Sequence, residues 1–112
     1  MTFTLRWTEG AAATYAELRA AAQASKHGKR RKSTKQQGLF KQVHKCVSLL
    51  PANPRHPGLQ THEYHSIENP FDANQKVFEA YAQNRTPGAY RVFWCYGPGA
   101  GEITIIAITP HP

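Results

Sequence analysis

The feature that most constrains this chain is a β-hairpin near its C-terminal end. Residues 89–96, Ala-Tyr-Arg-Val-Phe-Trp-Cys-Tyr, are rich in aromatic and β-branched side chains, and residues 102–109 carry Ile103, Ile105, Ile106 and Ile108. Between them, Gly97-Pro98-Gly99-Ala100-Gly101 is a loop and not a phosphate cradle: no Lys-Ser/Thr follows it, and it joins two strands instead of opening a helix. Isoleucines on both faces of the second strand predict a central position in a sheet, since an apolar face left in water is costly. Upstream, residues 76–82 form a further strand and Leu59 to Ser66 a weaker one. They are separated by the loop Glu68–Gln75 with its Asn-Pro step, and Thr86-Pro87-Gly88 turns the chain into the hairpin.

The first half is helical. Phe3 to Trp7 alternates as a short strand, and Thr8 is placed to cap the helix that follows. Ala11, Tyr15, Leu18 and Ala22 recur at helical spacing over residues 9–25, although the stripe is thin because half of it is alanine. A second helix over residues 34–50 has a fuller core stripe of Leu39, Val43, Cys46, Val47 and Leu50, with Pro51 and Pro54 expected to stop it. The predicted layout is β-α-α-β-β-β-β. It is an α+β fold with an N-terminal strand and a helical hairpin packed on an antiparallel sheet meander. At 112 residues the chain is expected to be a single domain, 1–112.

The charge is concentrated. The net charge is +7, and residues 26–45 alone hold eight cations and no acid, whereas residues 1–25 balance and residues 46–112 carry a net −1. A block of one sign attracts polyanions by steering and counterion release, so Lys29, Arg30, Arg31, Lys32, Lys35 and Lys41 are candidate RNA-binding residues. The competing explanation is a solvated helix tip that favours solubility. No apolar run reaches the roughly 20 residues of a membrane-spanning helix. Residues 1–6 lack the basic-then-apolar pattern of a signal peptide. Two cysteines, Cys46 and Cys95, are too few for a disulfide framework and fall on core positions. A cytoplasmic location is the expectation.

Among polar motifs, His62-Glu63-Tyr64-His65 suggests zinc only superficially. Strand geometry turns residues three apart to opposite faces, so no metal and no cofactor is expected. More informative is Arg91, a cation inside the most apolar strand, where desolvation is costly unless the side chain serves a polar site. Alternation puts Arg91, Phe93 and Cys95 on one face, with Tyr90, Val92, Trp94 and Tyr96 on the other. It also groups Val77, Glu79 and Tyr81, so Glu79 and Arg91 are expected to share a face, as a site or as a plain salt bridge. Trp94 is expected in the core against the second helix.

The run Leu49 to Leu59 with its Asn53-Pro54 and Pro57-Gly58-Leu59 steps, then Val77-Phe78-Glu79, then Ala89 to Trp94, then Ile103 to Ile108 with His111, resembles the RelE/ParE toxin superfamily. The resemblance implies a toxin neutralised by a cognate antitoxin. RelE-like members cleave mRNA, often on the ribosome, and ParE-like members poison DNA gyrase without enzymatic activity; a degenerate, non-catalytic nucleic-acid-binding relative is the third possibility. By position, the resemblance makes Arg91 the group that stabilises the scissile phosphate, Glu79 a candidate general base and His111 a candidate general acid. Ala80-Tyr81 stands where close relatives often carry a basic residue. The expected arrangement is Arg91 facing solvent within reach of Glu79 and His111.

Overall fold

A computed structural model describes residues 2–26, 35–84 and 88–110. The elements in chain order are β1 (Thr4–Trp7), α1 (Glu9–Lys26), α2 (Lys35–Ala52), β2 (His62–Glu63), β3 (Phe78–Tyr81), β4 (Tyr90–Tyr96) and β5 (Glu102–Pro110). The five strands form one sheet in the order β1-β5-β4-β3-β2. Their sequence is the expected one, and β5 is internal as expected. The sheet is nevertheless mixed, because β1 pairs with β5 in parallel, Leu5 opposite Ile103 and Trp7 opposite Ile105. The helical hairpin returns the chain to the start of β1, where Phe3 N donates to Pro51 O, and β2 to β4 follow before β5 runs beside β1 in the same direction.

One side of the sheet is covered by the helices. Val43, Cys46, Val47 and Leu50 of α2 and Ala11 of α1 pack with Ala80, Val92, Trp94, Ile103, Ile105 and Ile108. Trp94 sits in this core, stacked on Phe78 at 4.9 Å. Three isoleucines of β5 reach the same core despite their uneven spacing because the strand carries a bulge. Phe93 pairs with Ala107 and Trp94 with Ile105, so Ile106 is the extra residue. The bulge returns Ile108 to the face of Ile103 and Ile105. The pattern that looks apolar on both faces in sequence is therefore one apolar face with a change of phase, and the opposite face carries Thr104, Ala107 and Thr109.

Thr8 locks this bulge. Its hydroxyl donates to the Ile106 carbonyl at 2.7 Å and accepts from the Ala11 N–H at 3.2 Å, capping α1 as expected. At the other helix, α2 runs through Pro51 to Ala52, two residues beyond the expected end at Leu50. Two of its terminal carbonyls are satisfied from outside: Pro51 O accepts from Phe3 N and Leu49 O from Asn53 N, both at 2.8 Å.

The strand expected over residues 59–66 shrinks to two residues. Pro57–Leu59 is a 3₁₀ turn closed by Gln60 in the left-handed region (φ 49°), so extended pairing starts only at His62. The segment after β2 crosses the sheet face opposite the helices. Tyr64 packs on Phe93 at 4.7 Å between ring centroids. Buried Asn69 pins the loop, accepting from Phe71 N and Asp72 N and donating to Lys76 O. Among the described residues, no helix is long and apolar enough to cross a membrane.

Candidate functional site

Strand register builds a polar cluster on the face away from the helices. His62 lies opposite Glu79, Glu79 opposite Phe93, and Tyr81 opposite Arg91. Directly paired residues project to the same side, so His62, Glu79, Tyr81 and Arg91 share one face, together with Thr109, the partner of Arg91 on β5. The expected common face of Glu79 and Arg91 is therefore present, with the two residues diagonal to each other.

The exposure of these residues departs from expectation. Arg91 is 7% exposed and does not face solvent. Its guanidinium carbon lies 3.7 Å from the centroid of the Tyr81 ring. Its Nη1 donates to the carbonyl oxygens of Gln83 at 2.5 Å and Tyr90 at 3.3 Å. A desolvated cation needs such partners, and an aromatic face plus two carbonyl dipoles supplies them. The Nε of Arg91 is buried with no hydrogen-bond partner among the described residues. Gln83 ties this corner to α2: its Oε1 accepts from Tyr90 N at 3.1 Å and its Nε2 donates to Gln42 Oε1 at 2.9 Å.

Glu79 is 2% exposed and lies 2.7 Å from His62, Oε1 to Nε2. The other ring nitrogen of His62, Nδ1, is 3.0 Å from the Gln60 carbonyl oxygen. A carbonyl only accepts, so the Nδ1 contact is one in which the imidazole N–H donates to Gln60 O, and the ring is held between that carbonyl and the Glu79 carboxyl. His62 is also the member that meets solvent, with a side chain 46% exposed. Its ring abuts Tyr81 edge to face at 5.6 Å.

The other expected residues fall as follows. His111 lies outside the described residues; it follows Pro110, which pairs with Tyr90. Lys29, Arg30, Arg31 and Lys32 also lie outside them. Lys35 and Lys41 are exposed on α2, and Lys41 precedes Gln42, the contact of Gln83. His62 and His65 diverge: His65 is bound loosely to Glu63, Nδ1 to Oε2 at 3.4 Å, on the exposed side. No group of three potential metal ligands occurs among the described residues. Both thiols are buried, and burial pushes Cys46 up to about 12 and raises Cys95 as well, so neither is a nucleophile near neutrality. Sequence reasoning passed over Tyr81 although alternation placed it beside Glu79. It weighed His62 only as a metal ligand, because the register of a two-residue strand across a long loop leaves no local signal.

No protein-family model matches the chain, and no curated protein matches it either. Solved structures do. A YoeB/ParE toxin from Agrobacterium tumefaciens superposes with a TM-score of 0.60 at 8% identity, over 97% of this chain and 99% of that one. The archaeal RelE–RelB complex from Pyrococcus horikoshii OT3 gives a TM-score of 0.58 at 13% identity, over 98% of this chain and 96% of that one. The fold is that of the RelE/ParE toxins, nearly end to end.

Proposed function

We propose that this chain is the toxin of a toxin–antitoxin pair, neutralised by a cognate antitoxin protein, and that it is a metal-independent endoribonuclease acting on mRNA, free or on the ribosome. The observation that supports the reading is the clustering of Arg91 with the His62–Glu79 pair on one face of a RelE/ParE-type sheet. RNA cleavage by internal attack needs three things. A base takes the 2′-OH proton as the 2′-oxygen bonds to phosphorus, an acid protonates the 5′-oxygen as its bond breaks, and a cation stabilises the extra charge on the phosphorane. The products are a 2′,3′-cyclic phosphate and a 5′-OH end.

Arg91 suits the third task by charge, since a guanidinium stays ionised at any working pH, but with Nη1 engaged and Nε buried it meets a phosphate only if the Gln83 corner opens. Buried Glu79 is badly placed to touch RNA, so the base role expected for it passes to a positioning role: it holds His62. His62, the exposed member of that pair, and His111 are the two candidates for the proton transfers. A chemistry that starts at the 2′-OH leaves DNA intact.

One observation favours a second reading. Arg91 is already engaged by Tyr81 and two carbonyls, which gives it a structural task that a chain binding nucleic acid without cleaving it would also need. Inducing the wild-type chain and Arg91→Ala in cells and mapping mRNA 5′ ends separates the two. New 5′-OH ends with wild type and none with Arg91→Ala support cleavage. Intact RNA without growth arrest supports the non-catalytic form, and arrest with intact RNA and inhibited supercoiling indicates DNA gyrase. His62→Gln and His111→Gln are each expected to slow cleavage by about 10²–10⁴.

A further inference from the structure

His62 belongs to two surfaces. Besides bonding Glu79, it lines a cavity of 410 Å³ between the 54–62 turn and the ends of β3 and β4. That volume lies within the range of small-ligand pockets, roughly 300–1,000 Å³. One wall is aromatic. Phe78, Trp94 and Tyr96 form a mutually packed set, with Trp94 and Tyr96 edge to face at 5.0 Å and Phe78 and Tyr96 at 5.8 Å. Tyr96 is 42% exposed, one of two large hydrophobic residues in the described chain that meet water to that degree. Trp94 is buried, and its indole Nε1 has no hydrogen-bond partner among the described residues.

The turn side of the lining carries two basic residues. Arg55 and His56 stand between Pro54 and Pro57. Thr61 Oγ1 donates to Pro54 O at 3.1 Å and closes the turn. His56 Nδ1 accepts from Gly58 N at 2.9 Å, which leaves its hydrogen on Nε2 as a donor. Aromatic side chains and two basic residues lining one cavity match a base with its phosphate.

We propose that this cavity binds one unstacked nucleotide of a single-stranded RNA, its base against Tyr96 and its phosphate on Arg55 and His56. The proposal rests on the reading of the chain as an RNA-cleaving toxin for the choice of nucleic acid. It adds a place where a base of the bound strand is held, at the sheet edge where His62 also lines the cavity. Single-stranded RNA is recognised mainly by splaying bases onto aromatic side chains beside cationic groups.

The test is titration of the purified chain with the 5′-monophosphates of adenosine, guanosine, cytidine and uridine, and with inorganic phosphate. The readouts are the Trp94 indole N–H resonance and tryptophan fluorescence. At least one nucleotide is expected to shift the Trp94 resonance saturably, while phosphate alone leaves it in place. Tyr96→Ala and Arg55→Gln, both at exposed positions, are each expected to weaken that nucleotide by about fivefold or more, the low end of what a lost base stack costs. Absence of a saturable shift with all four nucleotides overturns the proposal, and so does unchanged affinity in Tyr96→Ala. RNA cleavage by a chain that fails this test overturns the pocket and leaves the enzyme. Nucleotide binding by a chain that cleaves no RNA overturns the enzyme and leaves the pocket.

Discussion

Arg91 shows what a residue pattern can and cannot reveal. Alternation along β4 and β3 is enough to place Arg91, Glu79 and Tyr81 on one side. Burial is not legible, because it depends on Gln83 and on a loop whose path has no periodic signal. The consequence is energetic. Arg91→Ala removes a charge-assisted bond and a stacked cation from a closed corner, so it is expected to cost about 1–3 kcal/mol in denaturant unfolding besides any loss of cleavage. Arg91→Lys is expected to keep the charge and recover only part of the cleavage, because the planar fork is lost. For the neighbouring pair, Glu79→Gln and His62→Gln should each slow cleavage, and the double variant should be little worse than either alone. Two residues acting as one unit are not additive; full additivity in initial rates would mean that Glu79 acts independently of His62. Cys46 provides a separate check on burial. Its folded value near 12 exceeds the ordinary 9.0, so the folded chain binds that proton more tightly. The associated stability is intact below pH 9 and falls as pH rises through the window to 12, by about 1.4 kcal/mol per unit at most. Cys46→Ala is expected to flatten the alkaline limb of a Tm-against-pH curve relative to wild type.

Elements were more legible than their partners. The helical stripe Leu39, Val43, Cys46, Val47, Leu50 locates α2 from spacing alone, and the glycine loop locates the β4–β5 hairpin, where Gly97 and Gly101 adopt positive φ. What spacing omits is which strand a four-residue β1 joins, since nothing in Thr-Leu-Arg-Trp distinguishes parallel from antiparallel pairing. The bulge at Ile106 was hidden for a related reason: an extra residue looks in sequence like a strand with two apolar faces. Thr8 joins these features, bonding both the first turn of α1 and the carbonyl released by the bulge. Thr8→Ala is therefore expected to cost about 1–2 kcal/mol, more than an ordinary exposed cap, with Thr8→Ser restoring most of it in thermal unfolding. Trp94 bridges sheet and helix at the centre of the core. Trp94→Ala is expected to cost roughly 3–5 kcal/mol, and a change under about 1 kcal/mol in chemical denaturation would contradict the packing of its face against α2.

At the scale of the molecule, the charge map and the fold meet between the two helices. The eight cations of residues 26–45 begin at the last residue of α1 and continue along α2 through Lys35, Lys41 and Lys45, while the rest of the chain is close to neutral. Concentrating like charge costs self-repulsion, and no described acid lies within the segment to relieve it. A polyanion would relieve it, and the proposed substrate is one. Neutralised phosphates release counterions, so affinity for single-stranded RNA should fall with salt by a slope of roughly 0.7 per phosphate contact on a log–log plot. Replacing Lys29, Arg30, Arg31 and Lys32 together by Gln is expected to lower that slope by up to about 3 and to weaken binding across all RNA sequences alike. The core residues of both helices are untouched by these changes, so the unfolding midpoint should hold. Fluorescence anisotropy of a labelled RNA over a salt series measures both quantities. An unchanged slope and affinity in the quadruple variant would make the block a solubility device, and would leave RNA contact to the sheet face and the cavity beside His62.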